Sequence, residues 1–404
     1  MTFTLAWRNL WRHGRRTVFS LVAIAAACVV VVFLPSLQAG SYAGMIRTYT
    51  GLVDGYAEIQ HPKYLDTPAI RDSFVLDDDL RAVLDHLPAG INHAERGIAY
   101  ALLSSNNRSI GAQIMGVEPH AEPSVSTIPS NVLDGHYLSA ESDVVLGETL
   151  ARNLHVDIGD NVTLLGVGRD GSLAADVLTV AGVFRSGITE LDRSLAQMSL
   201  ARFDAAFAMN GGRHTIVING SDSQALRQAI ERLRPAVEAR GLALRDWTEL
   251  QPSLYSAIEL DITGAVLMYA VLIAVVVVSL LNTLLMSVLE RTREFGIMLA
   301  LGTAPVRIGV LVVLESALLA ALGLAIGLAV GVGLALYFYL YGFTFPGMQE
   351  LYGQYGLPGV IYPQLSFVSI VLGPLVIFGF ILLASLYPTL RIRRLNAVEA
   401  MHAV

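Results

Sequence analysis

The chain has 404 residues, of which 54% are hydrophobic and 15% are charged. Soluble proteins of this length need a largely polar surface, so this balance predicts a membrane protein with a soluble part. A net charge of −7 argues against nucleic acid as a partner, and the single cysteine, Cys28, excludes a disulfide framework within the chain.

Residues 1–16 are predicted to form an amphipathic helix at the membrane interface. Aromatic and arginine side chains recur there at helical spacing on different faces. Indole rings favour the headgroup level and guanidinium groups the lipid phosphates, so Trp7, Arg8, Trp11 and Arg12 are expected to anchor this helix on membrane lipids. A second role, in which the helix moves the first span when a cytoplasmic partner moves, is compatible with the first.

Four apolar stretches are long enough to cross a membrane, which takes about 20 residues. They are residues 17–38, 262–289, 307–340 and 365–388. Arginines cluster before the first stretch, between the second and third, and after the fourth, whereas the short outer loop at 341–364 has no Lys or Arg. Because positive residues favour the cytoplasmic side, both termini and the tail at 389–404 are predicted to be cytoplasmic.

The segment 39–261 is then an extracytoplasmic domain of α+β class, carried on stalks at 36–53 and 251–261. Helices are predicted at 77–87 and 223–241, and a strand-rich insertion at about 131–208. The predicted strands are 56–60, 108–116, 143–146, 161–165, 177–184 and 215–219. The sequence has no HExxH, GxSxG or paired Cys-x-x-Cys motif, and its histidines are scattered, so we expect neither catalytic residues nor a metal site.

The chain is not expected to bind ATP itself. A phosphate-binding loop needs a lysine after a glycine-rich turn, but the only lysine, Lys63, follows His61-Pro62. Energy must therefore enter through another polypeptide or through an ion gradient. An ion gradient would require ionisable groups inside the membrane, and a single carboxylate in the third span, Glu315, favours a structural role over a proton relay.

The segment after the second span, 290–306, is predicted to be a helix that lies across the membrane face and fills a groove on a partner. A charged cluster is followed by an apolar turn, with glycines that let the chain turn sharply. The alternative is an ordinary loop with positive-inside charge. The predicted coupling residues are Glu290, Arg291, Arg293, Glu294, Phe295, Gly296, Met298, Leu299, Ala300, Leu301 and Gly302.

The third span carries Gly323, Gly327 and Gly331 at four-residue spacing, which leaves one face without side chains. We expect this face to pack closely against the fourth span, with the second protomer as the alternative. Asn282 and Glu315 are assigned to helix packing as well.

The coupling segment closely resembles the signature of the FtsX-like permease family, which includes MacB-type and LolC/LolE-type membrane subunits. Residues 5–12 resemble the family's amphipathic N-terminus, residues 144–151 with 156–160 its periplasmic core domain, and residues 387–400 its C-terminal motif, with Ala397 in place of a common proline.

This resemblance implies a non-catalytic permease subunit of an ABC transporter in the bacterial inner membrane. Two permease protomers, identical or different, would bind two ATPase subunits, which hold the ATP and Mg²⁺, and a periplasmic lipoprotein carrier or adaptor could take part. The implied function is lipoprotein release or extrusion of hydrophobic or amphiphilic substrates from the periplasmic side. The alternative is a signalling subunit that regulates a cell-wall hydrolase or a sensor and transports nothing.

Overall fold

Helices long and apolar enough to cross a membrane occur four times in the computed structural model, which describes residues 2–12, 14–106, 108–348 and 359–392. The chain divides into two compact units. The first holds the described residues of Met1–Ala43, Ile258–Thr344 and Val360–Val404, and the second holds those of Gly44–Ala257 and Phe345–Gly359. The part of the predicted tail from 393 onwards lies outside the described residues.

The helices that contribute to the first unit contain three predicted spans in full and the fourth from residue 367 onward. They are α1 (Thr2–Arg12), α2 (Gly14–Tyr49), α9 (Pro252–Glu290), α10 (Thr292–Ala300), α11 (Pro305–Tyr341) and α12 (Gly373–Ile392, after a π-helical turn at Val368–Leu372). Helices α2 and α9 are much longer than a bilayer needs, so the predicted stalks are helical continuations of the spans.

Helix α11 packs its glycine face against α2. A Cβ built on Gly323 would lie 2.8 Å from Ile24, one on Gly327 2.5 Å from Cys28, and one on Gly331 3.1 Å from Val32. The prediction that this face meets the fourth span is therefore wrong, because α12 approaches α11 on another side, where Gly309 faces Thr389. Close packing through the glycines themselves is confirmed.

The second unit is an α+β domain, and every predicted strand in it is present. Its strands are β1 (Ala57–Gln60), β2 (Phe74–Val75), β3 (Ile91–Ser105), β4 (Arg108–Val117), β5 (Val132–Gly135), β6 (Asp143–Gly147), β7 (Asn161–Val167), β8 (Leu173–Phe184), β9 (Leu195–Ser199), β10 (Gly212–Arg213), β11 (Thr215–Gly220) and β12 (Ala243–Asp246). Its helices are α3 (Asp78–Asp85), α4 (Glu148–Leu154), α5 (Thr189–Ser194), α6 (Leu200–Ala206), α7 (Ser223–Glu238) and α8 (Trp247–Leu250).

The pairings in the strand-rich part close into a ring of six strands. Strand β3 pairs with β4, β4 with β9, β9 with β6, β6 with β8, β8 with β7, and β7 again with β3. The ring encloses a core that includes Leu103, Ile114, Leu146, Leu164 and Leu178. The predicted insertion at 131–208 is thus too short, because β3 and β4 belong to the same ring.

A second core lies under the sheet formed by β12, β1, β11 and the first half of β3. Helices α3 and α7 cover it, with Leu80, Leu84, Leu226 and Leu233 turned inward. Strand β3 spans both cores, since its early residues pair with β11 and its later residues with β7. The long strand therefore makes the domain one continuous structure rather than two modules.

Candidate functional site

The predicted coupling segment forms a short helix, α10, with clearly defined ends. The chain leaves α9 at Arg291, which is not helical (φ −101°, ψ 11°), and α10 begins at Thr292. At the other end, the Gly302 N–H donates to the Leu299 carbonyl and the Thr303 N–H donates to the Met298 carbonyl, both at 3.0 Å. Gly302 has φ +86°, the left-handed conformation that this type of helix end requires.

One face of α10 packs against the helices on either side of it. Phe295 is 1% exposed and contacts a cluster with Val288, Ile308 and Val312, which Met298 and Leu299 join. Gly296 is buried within the helix, so the expectation that it turns the chain is wrong. The turn occurs at Arg291 instead, because one non-helical residue is enough to redirect the chain.

The opposite face is exposed and mostly apolar. Arg293, Ile297, Ala300 and Leu301 occur at spacings of four, three and one residues, which places them on one side of the helix. Leu301 is 81% exposed, the highest value among the large hydrophobic side chains of the described residues. We call these four residues the outer face of α10.

An ion pair between Arg291 and Glu315 ties the start of α10 to α11 on the buried side of α10. The Arg291 guanidinium donates to the two carboxylate oxygens of Glu315 at 3.1 and 2.9 Å, and its carbon lies 5.1 Å from the centre of the Phe295 ring. Asn9 of α1 donates to Glu315 at 2.7 Å. Glu315 thus has a basic partner that the sequence did not reveal, and the predicted structural role fits this geometry.

Two further ion pairs tie the end of α1 and the start of α2 to the same place. Arg12 lies 2.7 Å from Glu294, and Arg16 lies 2.9 Å from Glu290. Burial acts to raise the pKa of Glu294, but hydrogen bonds from Arg291 and Arg12 and their positive charges outweigh it, so the pKa is lowered. Both ion pairs are partly exposed, which limits their strength.

Helix α1 keeps its aromatic side chains outward, as the interfacial prediction requires. Ala6 and Leu10 are buried, whereas Trp7, Arg8, Trp11 and Arg12 are exposed. The two indole rings contact each other edge to face at 6.2 Å. Asn282, which we assigned to helix packing, is exposed on α9 and is not buried against any other helix of the described residues.

A large apolar cavity lies among α2, α9 and the π-helical start of α12, entirely within the first unit. Its volume is about 900 Å³, and its wall includes Val31, Ile273, Val277 and Phe380. The sequence shows no signal for this cavity, since its walls look like ordinary lipid-facing helix.

Polar residues stand at one end of this cavity and bridge α2 and α9. Tyr42 donates a short hydrogen bond to Asp261, Gln38 donates to the same carboxylate at 3.4 Å, and Tyr269 donates to Gln38 at 2.7 Å. Asp261 is the last residue of the predicted stalk 251–261, and its partners in α2 are too distant in sequence to be predicted.

One histidine of the second unit, His214, has a buried and fully hydrogen-bonded ring. His214 is fully buried; its Nδ1 accepts from the Ile98 N–H at 2.9 Å, so Nε2 carries the proton toward the Ile70 carbonyl at 3.1 Å. Burial lowers the pKa of His214 to about 4. No group of three or more His, Cys, Asp or Glu side chains suited to a metal occurs among the described residues.

Two parts of the chain match models of known protein families. Residues 17–236 match the family model for the MacB-like periplasmic core domain, and residues 266–397 match the model for the FtsX-like permease C-terminal region. The lipoprotein-releasing system transmembrane protein LolC of Neisseria meningitidis serogroup B is 24% identical over 309 residues, covering 74% of this chain and 72% of LolC.

Two other proteins are similar to parts of the chain. The lipoprotein-releasing system transmembrane protein LolE of Haemophilus influenzae is 24% identical over 313 residues, covering 74% of each chain. The crystal structure of the periplasmic region of MacB from Actinobacillus actinomycetemcomitans covers 49% of this chain and 91% of its own, at 13% identity and a TM-score of 0.36. From the two family matches and the four membrane helices, the chain belongs to the FtsX-like family of ABC transporter permeases, as a member with a MacB-like periplasmic core domain.

Proposed function

We propose that this chain is the membrane subunit of a bacterial inner-membrane transporter in which a separate ATPase moves the periplasmic domain to release lipoproteins from the membrane. The outer face of α10 carries the proposal, because an exposed apolar helix face held firmly from beneath is suited to docking in a groove. The relatives named as lipoprotein-releasing system proteins supply the substrate class.

In this scheme two ATPase subunits bind the outer faces of two permease protomers. ATP and Mg²⁺ reside on the ATPase, in keeping with the lack of a phosphate-binding loop around Lys63. The arginine clusters favour a cytoplasmic location for α1, α10 and the tail, so the docking face would meet the ATPase on the correct side.

The apolar cavity supports a lipid-bearing substrate. A space of about 900 Å³ between helices, walled by aliphatic side chains, suits hydrocarbon chains that enter from the bilayer. The polar group at its end, with Gln38, Tyr42, Asp261 and Tyr269, would meet the polar part of such a molecule.

The test is reconstitution of the permease and its cognate ATPase in liposomes that carry a triacylated lipoprotein. Ile297→Asp and Leu301→Asp should abolish co-purification of the ATPase and reduce lipoprotein release at least roughly tenfold, since a charge must be desolvated at the interface. Val306→Asp is the matched control, because Val306 is 57% exposed on α11 and lies outside the outer face.

Full release by both α10 variants would refute the docking assignment. ATP turnover that responds to a cell-wall hydrolase or a sensor protein, with no lipoprotein leaving the membrane, would instead favour the signalling function.

A further inference from the structure

The first span enters the periplasmic core domain without a flexible linker. Helix α2 ends at Tyr49 and continues as a π-helical turn, Thr50–Asp54, and only Gly55 and Tyr56 separate this turn from β1. The chain turns into the sheet at Gly55, which has φ +67°. A Cβ at this position would collide with Val217, so the turn requires glycine. We call Thr50–Asp54 the helix-end joint.

Four successive backbone carbonyls of this joint accept hydrogen bonds from the core domain. At a helix end the last carbonyls have no partner within the helix and are usually met by water or by capping groups. Here Asn219 donates to the Thr50 carbonyl at 3.3 Å, and the Thr127 N–H donates to the Gly51 carbonyl at 2.7 Å. The Ser126 hydroxyl donates to the Leu52 carbonyl at 2.7 Å. The Arg96 guanidinium donates to the Val53 carbonyl.

Arg96 is the most deeply placed of these donors. Its side chain is 1% exposed, and it also forms a forked pair with Glu122, whose side chain is 0% exposed, at 3.1 and 2.6 Å. The forked pair orients the guanidinium so that one nitrogen remains for Val53. Removing Arg96 would leave the Glu122 carboxylate buried without its partner, so the pair is costly to break.

The second span reaches the core domain next to the first. Strand β12 pairs with β1, with Ala57 opposite Asp246, and continues through α8 into α9. Gln251, just before α9, donates a hydrogen bond to Asp54 of the joint. The two chain crossings are thus joined at neighbouring strands.

We propose that the helix-end joint is the point through which the first span drives the periplasmic core domain as one rigid body, with Arg96 and Ser126 as its positioning residues. The proposal rests on the mechanical function proposed above. It predicts that loosening the joint uncouples domain movement from ATP hydrolysis while leaving both the fold and ATPase binding intact.

The experiment uses the full chain with the native cysteine removed by Cys28→Ala. Spin labels are attached at Arg47 on α2 and at Tyr100 on β3, because both positions are exposed and both belong to the second unit. Pulsed electron paramagnetic resonance measures the distance distribution in Ser126→Ala and Arg96→Lys. Ser124→Ala is the matched control, because the Ser124 hydroxyl donates to Ala121 and does not contact the joint. Hydrogen exchange of β6 and β8 amides reports whether the ring of strands stays folded.

We expect both joint variants to broaden the distance distribution and to lower lipoprotein release at least roughly fivefold, with ATPase co-purification unchanged and Ser124→Ala like the parent. Distances as narrow as the parent's in Ser126→Ala would overturn the proposal, as would broadened distances with full release. If Arg96→Lys unfolds the domain, Ser126→Ala decides, since it removes a neutral hydroxyl. The distance measurement needs no ATPase, so a parent protein that releases no lipoprotein would refute the proposed function separately.

Discussion

Arg291 and Glu315 join the start of α10 to the interior of α11 through two hydrogen bonds of 3.1 and 2.9 Å. Their side chains are 11% and 15% exposed, so the pair is largely removed from solvent. Because Asn9 donates to the same carboxylate, the orientation of α10 depends on a contact with α1 as well.

Glu315→Gln should weaken coupling more than any change at Asn9. The substitution removes the less exposed of the two carboxylates that pair with the Arg291 guanidinium and leaves Glu294 at 3.2 Å as the other, which costs about 1.5–3 kcal/mol. Asn9→Ala removes one hydrogen bond and should cost about 1 kcal/mol. Substrate-stimulated ATPase activity of the purified complex measures the effect, and equal activity of parent and Glu315→Gln would contradict it.

Arg12 and Glu294 should show a small coupling when their charges are removed. Arg12→Gln or Glu294→Gln alone breaks the ion pair, and because Glu294 also accepts from Arg291 at 3.2 Å, only the cycle that includes the double variant isolates the contribution of Arg12. Since both side chains are partly exposed, we expect a coupling energy below about 1 kcal/mol that falls with added salt. Co-purification of the ATPase measures the four proteins of the cycle, and single effects that simply add in the double variant would argue against direct pairing.

Two glycines of α11 should respond oppositely to the same substitution. Gly327→Ala places a Cβ 2.5 Å from the Cys28 Cβ and 2.6 Å from the Ala25 carbonyl, so α2 and α11 must separate. Such overpacking costs about 1–3 kcal/mol. Gly333→Ala is the control, because its Cβ meets nothing within 4 Å.

Thermal unfolding in detergent provides the measurement for this pair. We expect Gly333→Ala to match or slightly exceed the parent, since alanine is the better helix former. Destabilisation by Gly333→Ala equal to that by Gly327→Ala would show that the α2–α11 contact is not the cause.

His214 should make the core domain sensitive to acid. Burial lowers the pKa of the folded state to about 4, below the ordinary value of 6.5, so folding favours the neutral ring. The resulting stability is complete above pH 6.5 and is lost as the pH falls toward 4, by about 3 kcal/mol for this group.

Hydrogen exchange of β3 and β11 amides at pH 7 and pH 4 gives the free energy of opening, and His214→Gln is the comparison. The difference between variant and parent cancels contributions from other titrating groups. A difference that stays constant between the two pH values would contradict the assignment to His214.

Elements with a strong local pattern could be predicted from the sequence. The four spans follow from apolar runs, and strands such as β6 and β11 from short β-branched stretches. The ends of α10 were harder to predict from the sequence. Gly302 matched its expected role, but Gly296 did not, because glycine tolerates a turn without requiring one.

Relationships between distant segments could not be predicted. The glycine face of α11 predicts that another helix packs closely against it. Only the folded structure shows that this helix is α2, which contacts the face through Ile24 and Cys28. Arg291 and Glu315 are 24 residues apart, and Asn9 and Glu315 are 306 apart, so no periodicity connects them. The exposed position of Asn282 likewise depends on how the helices rotate against one another.

The closed ring of six strands also affects the mechanical stability of the core domain. In an open sheet, an outermost strand can peel away one hydrogen bond at a time and can recruit a foreign strand. Strand β3 and the other ring members are held on both sides, so tension reaching them must shear many bonds together. If an ATPase moves the domain as proposed, the ring would therefore bear repeated tension without exposing unpaired backbone groups to its surroundings.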